Sequence, residues 1–328
     1  MQLIRGLHNL KTTRPGQIWA ENSIFEHGCV LTIGNFDGIH LGHQEVLNRV
    51  QGLAHQLNLP SVVMIFEPLP VEYFAPDKAP VRLMNLREKL IGFQQTAIDF
   101  VLVCRFNAEF AELTAEQFVQ QILVQSLQIK HLVVGDDFCF GKNRQGNYAF
   151  LQTAGLKQGF EVSEMPTYKV DEQRISSTRV RQTLSTETLQ TQGLKAAEDL
   201  LGRSFYFDGR VIHGQKLGRQ LGFRTLNLNP KRLQMPVSGV FAVRVLNIAN
   251  QPWPGVANIG VRPTVNGLRP SIEVHLFNWD KDLYGAHVQV ELVAFIRPEQ
   301  KFGNLDALKA QIEKDAHSAR QILGVITE

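Results

Sequence analysis

From Cys29 to about Met165, short apolar runs rich in β-branched residues alternate with amphipathic stretches. The series opens with CVLTIGNF, passes through a helical stretch from about His40 to Asn58, and returns to an apolar run at SVVMIF. Within that stretch Val46, Leu47, Val50, Leu53, Ala54 and Leu57 recur three and four positions apart. This spacing predicts one core-facing stripe, with Gln44, Asn48 and Gln51 on the wet face. A helix near Asn85 to Ile98, the strand FVLV at 100–103, a helix opened by the capping box of Thr114 and Gln117, and the strand HLVVG at 131–135 follow. Strands separated by helices imply βαβ units, and so an α/β domain on a doubly wound parallel sheet.

Beyond about residue 186 the rhythm changes to β-rich segments punctuated by Gly and Pro: YFDGRVIHG, FRTLNLNP, GVFAVRVLNI, GVANIGVRPT, SIEVHLFNW and HVQVELVAFIRP. Such a run predicts a small antiparallel β-barrel. An amphipathic helix from about Asn304 to Leu323, with Leu305, Leu308, Ile312 and Ala316 on one side, closes the chain. Thr186 to Gly202 reads as a helical linker, so the expected domains are 1–186 and 187–328.

Composition narrows the function classes. Hydrophobic residues make up 44% and charged residues 20%, enough apolar material for packed cores. The net charge of +3 is too weak to make nucleic acid or an anionic membrane the main partner. The basic excess lies in the C-terminal part, with 17 basic and 13 acidic residues against 17 and 18 before it. Cys29, Cys104 and Cys139 form no CxxC pair, which argues against a disulfide framework or a cysteine-rich zinc site. The start MQLIRGLHNLKTTRPG has no signal-peptide core, and no apolar run reaches the roughly 18 residues of a membrane span, so a cytoplasmic protein is expected.

The segment from Thr32 to His43, TIGNFDGIHLGH, runs from a predicted strand through a turn into a helix. Such a junction offers backbone N–H groups and the positive helix end to phosphates. His40 and His43, three apart, project to one side of the first turn, where they can donate hydrogen bonds to phosphate oxygens, and Gly42 between them allows close approach. A pair of surface histidines and two zinc ligands are the competing readings, but for zinc no third and fourth ligand stand nearby in sequence. ISSTRVR at 175–181 offers the hydroxyls of Ser176, Ser177 and Thr178 with Arg181 one turn on, either a second phosphate clamp or a simple N-cap. Gly214, Gly218 and Gly222 recur at four-residue intervals, as a phosphate-cradling loop or as barrel turns would require.

Together GNFDGIHLGH at 34–43, FEPLP at 66–70, VVGDDFCFGKNRQG at 133–146 and ISSTRVR resemble the HxGH nucleotidyltransferase superfamily. Within it they resemble the FAD synthetase half of bacterial bifunctional riboflavin kinase/FAD synthetases. The resemblance implies that the phosphate of FMN attacks the α-phosphorus of ATP, releasing pyrophosphate and FAD. It places His40, His43, Ser177, Arg181 and Mg²⁺ on the transferring group. ATP phosphates fall to Gly34, Asn35, Phe36, Asp37, Gly42, Ser176 and Thr178, and Phe66, Pro68, Asp137 and Phe140 border the flavin. Leu69 stands where the family usually has histidine.

In the C-terminal part GFRTLN at 222–227 is similar to the riboflavin kinase signature GFPTAN, with Arg224 for Pro and Leu226 for Ala. GVANIGVRPT at 255–264, EVHLF at 273–277, DLYG at 282–285 and IRPEQKF at 296–302 extend the likeness. It implies that Thr225 and Asn227 hold Mg²⁺ and ATP phosphates, that Gly214, Gly218 and Gly222 belong to the nucleotide loop, and that Glu273 takes the proton of the ribityl 5′-hydroxyl. The function expected is phosphorylation of riboflavin to FMN and adenylylation of FMN to FAD, using MgATP twice. The alternative is a monofunctional FAD synthetase whose barrel only binds flavin. A tRNA-charging enzyme, which can also carry HxGH, is disfavoured because no KMSKS-like segment is present and a barrel region at +4 is a poor RNA platform.

Overall fold

The computed structural model describes residues 1–10, 24–165, 168–170, 172–213, 222–264 and 267–325. Contacts divide the chain into two compact units, Met1–Pro80 with Lys89–Ile175, and Val81–Glu88 with Ser176–Glu328.

The first unit is built on six parallel strands: β1 (Gln2–Arg5), β2 (Cys29–Ile33), β3 (Ser61–Glu67), β4 (Phe100–Arg105), β5 (Ile129–Gly135) and β6 (Glu161–Met165). Every residue of β2 is buried, as a parallel strand covered on both faces requires. The spatial order is β1-β4-β3-β2-β5-β6, so the winding direction reverses between β2 and β5. At such a switch point the loops leaving neighbouring strands diverge and open a crevice at their carboxyl ends, where ligands of this architecture sit. A short antiparallel ribbon of β7 (Lys169–Val170) and β8 (Gln173–Arg174) ends the unit.

Helix α1 (Leu41–Leu57) follows β2 and buries Leu47, Val50, Leu53 and Ala54, as the apolar spacing predicts. Leu57 departs from the stripe at 47% exposure, because Asn58 turns left-handed at φ 53° and ends the helix beside it. Gln44 is half-buried rather than wet, its amide donating to the Ile39 carbonyl at 3.0 Å. The expected capping box is present: Gln117 N–H donates to Thr114 Oγ1 at 3.1 Å and Thr114 N–H to Gln117 Oε1 at 2.9 Å.

In the second unit β9 (Tyr206–Ile212), β10 (Leu226–Leu228), β11 (Gly239–Leu246), β12 (Trp253–Thr264), β13 (Gly267–Leu276) and β14 (His287–Arg297) close an antiparallel barrel in the order β10-β13-β12-β11-β14-β9. The C-terminal helix Leu305–Leu323 is capped by Asn304, whose side chain accepts from Ala307 N–H at 2.8 Å. It packs through Ala316 and Ala319 onto Val240, Ala242 and Val256 of the barrel's outer face. Leu305, expected on the packed side, is 55% exposed, since the helix meets the barrel only with its later turns. Residues 186–202 form two helices, Thr186–Gln192 and Lys195–Leu201, that bury Leu189, Ala197, Leu200 and Leu201. They are core elements of the second unit, not a simple linker.

Segment 81–88 joins the second unit through a charged pair with no exposed surface. Glu88, fully buried, pairs with the Arg232 guanidinium and accepts the Asp208 N–H at 3.0 Å. Arg232 also donates to the carbonyls of Arg82 at 3.2 Å and Leu83 at 3.0 Å. Removing one partner of a buried pair strands the other charge, which costs about 3–5 kcal/mol. Arg232→Met is therefore expected to lower the stability of this unit by about that amount, read from denaturant unfolding followed by the fluorescence of Trp253 and Trp279.

Candidate functional site

The loop from Gly34 to His40 leaves β2 at the switch point, and its backbone is bent hard. Phe36, Gly38 and Ile39 take positive φ values of 47°, 90° and 40°. For a bulky and a β-branched residue that region is costly, and such backbone is kept where the surroundings impose it. Here Phe36 and Ile39 are each 3% exposed, so their burial holds the turn. The turn delivers His40 to the N-cap of α1, where its Nδ1 accepts the His43 N–H at 3.2 Å. An Nδ1 that accepts carries no proton, so in neutral His40 the N–H sits on Nε2.

The His43 ring stacks on that of His40, with centroids 3.6 Å apart and planes 13° from parallel. A side chain at residue 42 would crowd the His40 ring at 3.3 Å, so Gly42 serves this stack. Burial, then the neighbouring His40 and Lys89, hold His43 well below the ordinary histidine range. It is neutral near pH 7, and its buried Nδ1 finds no hydrogen-bond partner among the described residues. Asp37 is buried and Asn35 exposed in the same loop.

The adjacent strand β5 leads into Asp136 and Asp137. Exposed Asp137 accepts from Arg174 of β8 at 3.0 Å. Phe140 is 8% exposed and belongs to the core, its ring 5.1 Å from Phe118 and 5.9 Å from Phe150. Beyond β3, half-buried Phe66 lies 5.2 Å from Phe110, Pro68 is exposed, and Leu69 at the family's histidine position is 2% exposed. Ser176, Ser177, Thr178 and Arg181 group by contacts with the second unit. Ser176 caps the helix Ser177–Thr183 by accepting from Arg179 N–H at 3.2 Å, and Arg181 Nε donates to the Val81 carbonyl at 2.5 Å.

In the barrel, register brings together what the sequence separates. Asn227 of β10 is directly opposite Glu273 of β13, which is opposite Asn258 of β12 on its other side. Register partners share a face, and the neighbours of Glu273, Ile272 and Val274, are fully buried inside, so this row lies on the outside. Asn227 is 8% exposed, and its Oδ1 has no hydrogen-bond partner among the described residues. Thr225 lines a pocket with Arg224, Trp279, Lys281 and Tyr284; Tyr284 lies in the DLYG segment, whereas no motif in the sequence marks Trp279 and Lys281 as site residues. Gly222 turns at φ 89°, whereas Gly214 and Gly218 lie outside the described residues.

The state of His43 has a consequence for stability. Its folded value lies below the 6.5 of a free imidazole, so the unfolded chain takes up a proton that the folded chain refuses. The stability this confers is present above pH 6.5 and lost as pH falls below it. His43→Gln should therefore lose less of its denaturation midpoint than the parent between about pH 7 and pH 5.

Residues 23–179 match the family model described as FAD synthetase, and residues 201–323 the one described as riboflavin kinase. The chain is 49% identical over 325 residues to the bifunctional riboflavin kinase/FMN adenylyltransferase of Escherichia coli strain K12, covering 99% of each. It is 47% identical over 320 residues to the protein of the same description from Haemophilus influenzae, covering 98% of each. A solved structure described as a macrolide-efflux protein from Streptococcus pneumoniae matches with a TM-score of 0.75 at 28% identity, over 97% of this chain and 98% of that one. Among the described residues no helix is long and apolar enough to cross a membrane. Two family models in series and relatives that match end to end agree, and the chain belongs to the bifunctional riboflavin kinase/FMN adenylyltransferase family.

Proposed function

We propose that the two activities of the family are divided along this chain, with residues 187–328 phosphorylating riboflavin to FMN and residues 1–186 adenylylating FMN to FAD, each from ATP. The observation that carries the adenylyl half is the His40–His43 stack, with His43 neutral, at the head of α1 beside the switch point.

In that half an oxygen of the FMN phosphate attacks the α-phosphorus of ATP, and the bond to pyrophosphate breaks. The nucleophile arrives as an anion, so no protein base is required, and catalysis rests on alignment and on donors aimed at the developing charge. His40 donates through Nε2, with His43 as a second neutral donor. Gly34, Asn35, Phe36, Asp37 and Gly42 shape the phosphate side. By family likeness Ser176, Ser177, Thr178 and Arg181 contact ATP phosphates, and Phe66, Pro68, Asp137 and Phe140 border the flavin.

In the kinase half the ribityl 5′-hydroxyl attacks the γ-phosphorus of ATP and ADP leaves. A neutral alcohol must shed its proton, and Glu273 accepts it. The buried Oδ1 of Asn227, without a hydrogen-bond partner among the described residues, fits a hard cation that takes oxygen ligands, so Thr225 and Asn227 would hold Mg²⁺. When bound, the ion neutralises charge on the phosphate oxygens. The Asn227–Glu273 register supports a working kinase over a barrel that only binds flavin. Gly214, Gly218 and Gly222 are assigned to the nucleotide loop. Flavins and ATP are the partners, with no role for nucleic acid or membrane, and three free cysteines, two of them buried, suit a reducing cytoplasm.

Incubation with riboflavin, ATP and Mg²⁺ should yield FMN and then FAD by chromatography, and absence of both products would overturn the reading. His43→Ala should lower FAD formation from supplied FMN by about 10²-fold or more and leave FMN formation nearly intact. Glu273→Gln, which keeps size and removes the proton acceptor, should lower FMN formation by about 10²–10⁴-fold with riboflavin binding little changed, while adenylylation continues. Near-normal kinase turnover in that variant would remove Glu273 as the base.

A further inference from the structure

On the outer face of the barrel the C-terminal helix covers Val256 of β12 but leaves Asn258, two residues on and on the same face, exposed. Asn258 is not idle there. Its amide donates to the carboxylate of Glu299, from the segment that follows β14. That carboxylate rests directly over Gly260, where an added Cβ would overlap its carbon and both its oxygens. Burial pushes the Glu299 carboxyl up, while the Asn258 bond and Arg297 pull it down. Glycine at 260, the acid at 299 and the amide at 258 thus form a device that fixes the orientation of one exposed amide. The amide stands opposite Glu273, with Asn227 on the far side of that glutamate.

We propose that Asn258, oriented by Glu299 over Gly260, is a substrate-binding residue of the kinase half that holds hydroxyl groups of the polyol chain beside Glu273. This rests on the reading of Glu273 as the proton acceptor. The chemistry follows from the donor set. A base that deprotonates one terminal hydroxyl of a flexible polyol needs that hydroxyl presented in one geometry, and neighbouring hydroxyls are the only handles along the chain. An amide offers them both a donor and an acceptor. Held by Glu299, it meets them without first losing rotational freedom, which is where preorganisation gains affinity.

The test separates the polyol chain from the ring. Riboflavin carries the chain, whereas lumiflavin has the same ring system with a methyl group in its place. In the full-length protein Asn258→Ala should raise the KM for riboflavin by about fivefold or more, the loss of about one net hydrogen bond, and leave competitive inhibition of the kinase by lumiflavin unchanged. Gly260→Ala evicts the carboxylate without altering any polar group and should reproduce part of the riboflavin effect. Glu299→Ala should do the same, and Glu299→Gln, which keeps an acceptor oxygen, should restore most of it. An unchanged riboflavin KM in Asn258→Ala, or equal weakening of riboflavin and lumiflavin, would overturn the proposal. Glu273→Gln, run alongside, tests the base separately, since its failure shows in turnover and not in the contrast between the two flavins.

Discussion

The constraint on which the adenylyl half depends is the turn between β2 and α1. Seven residues must carry the chain from a buried strand to the first turn of a helix, and the solution places Phe36 and Ile39 in left-handed backbone. Each such residue costs of order 1–3 kcal/mol, offset by closing both side chains into the core. A looser turn would satisfy the backbone more cheaply but would not hold His40 at the N-cap with its Nδ1 facing the His43 N–H. One hydrogen bond thereby fixes a tautomer, and the tautomer fixes which nitrogen can donate outward. The stack on His43 follows, and Gly42 between the two residues keeps a side chain from crowding the His40 ring.

The two halves meet opposite problems with charge. In the proposed adenylyl transfer the nucleophile is already anionic, and what must be managed is charge that accumulates on the transferring phosphoryl. Neutral imidazole donors suit that task, because two stacked imidazolium ions would repel each other while buried. In the proposed kinase step the nucleophile is neutral, so a carboxylate is needed on the attacking side. The barrel supplies it on the outer face of β13 between two amide-bearing neighbours, a setting in which a proton acceptor can face substrate without being sealed into a core.

Much of this was legible in the sequence because it is written in short-range periodicity. The stripe of α1, the Thr114 capping box and the change of rhythm near residue 186 all depend on neighbours within a few positions. Where the reading missed, the cause lies in distant partners. Leu57 and Leu305 have the right spacing but stand at helix ends that the core does not reach. The Glu88–Arg232 pair joins residues 144 apart, and nothing local distinguishes Glu88 from any helix-start glutamate. The alignment of Asn227, Glu273 and Asn258 emerges only once three strands are in register.

The departures from the kinase signature show how a long-range contact can stand in for local stiffness. A proline before Thr225 would fix one backbone angle through its ring. Arg224 cannot do that, but its guanidinium donates to the Asp280 carbonyl at 3.3 Å, and its own carbonyl accepts from His275 Nδ1 at 2.9 Å. The residue is thus tied on one side to β13, two positions from Glu273, and on the other to the loop that follows it. Burial holds His275 below the ordinary histidine range, and the proton it donates on Nδ1 belongs to the neutral ring, so this tie does not require a charge. Of these two bonds only the one from the guanidinium to Asp280 depends on the arginine, because a proline at 224 would keep the carbonyl that His275 meets. A substitution that looks like lost rigidity in the sequence is, in the fold, a side-chain tether to the loop that follows β13.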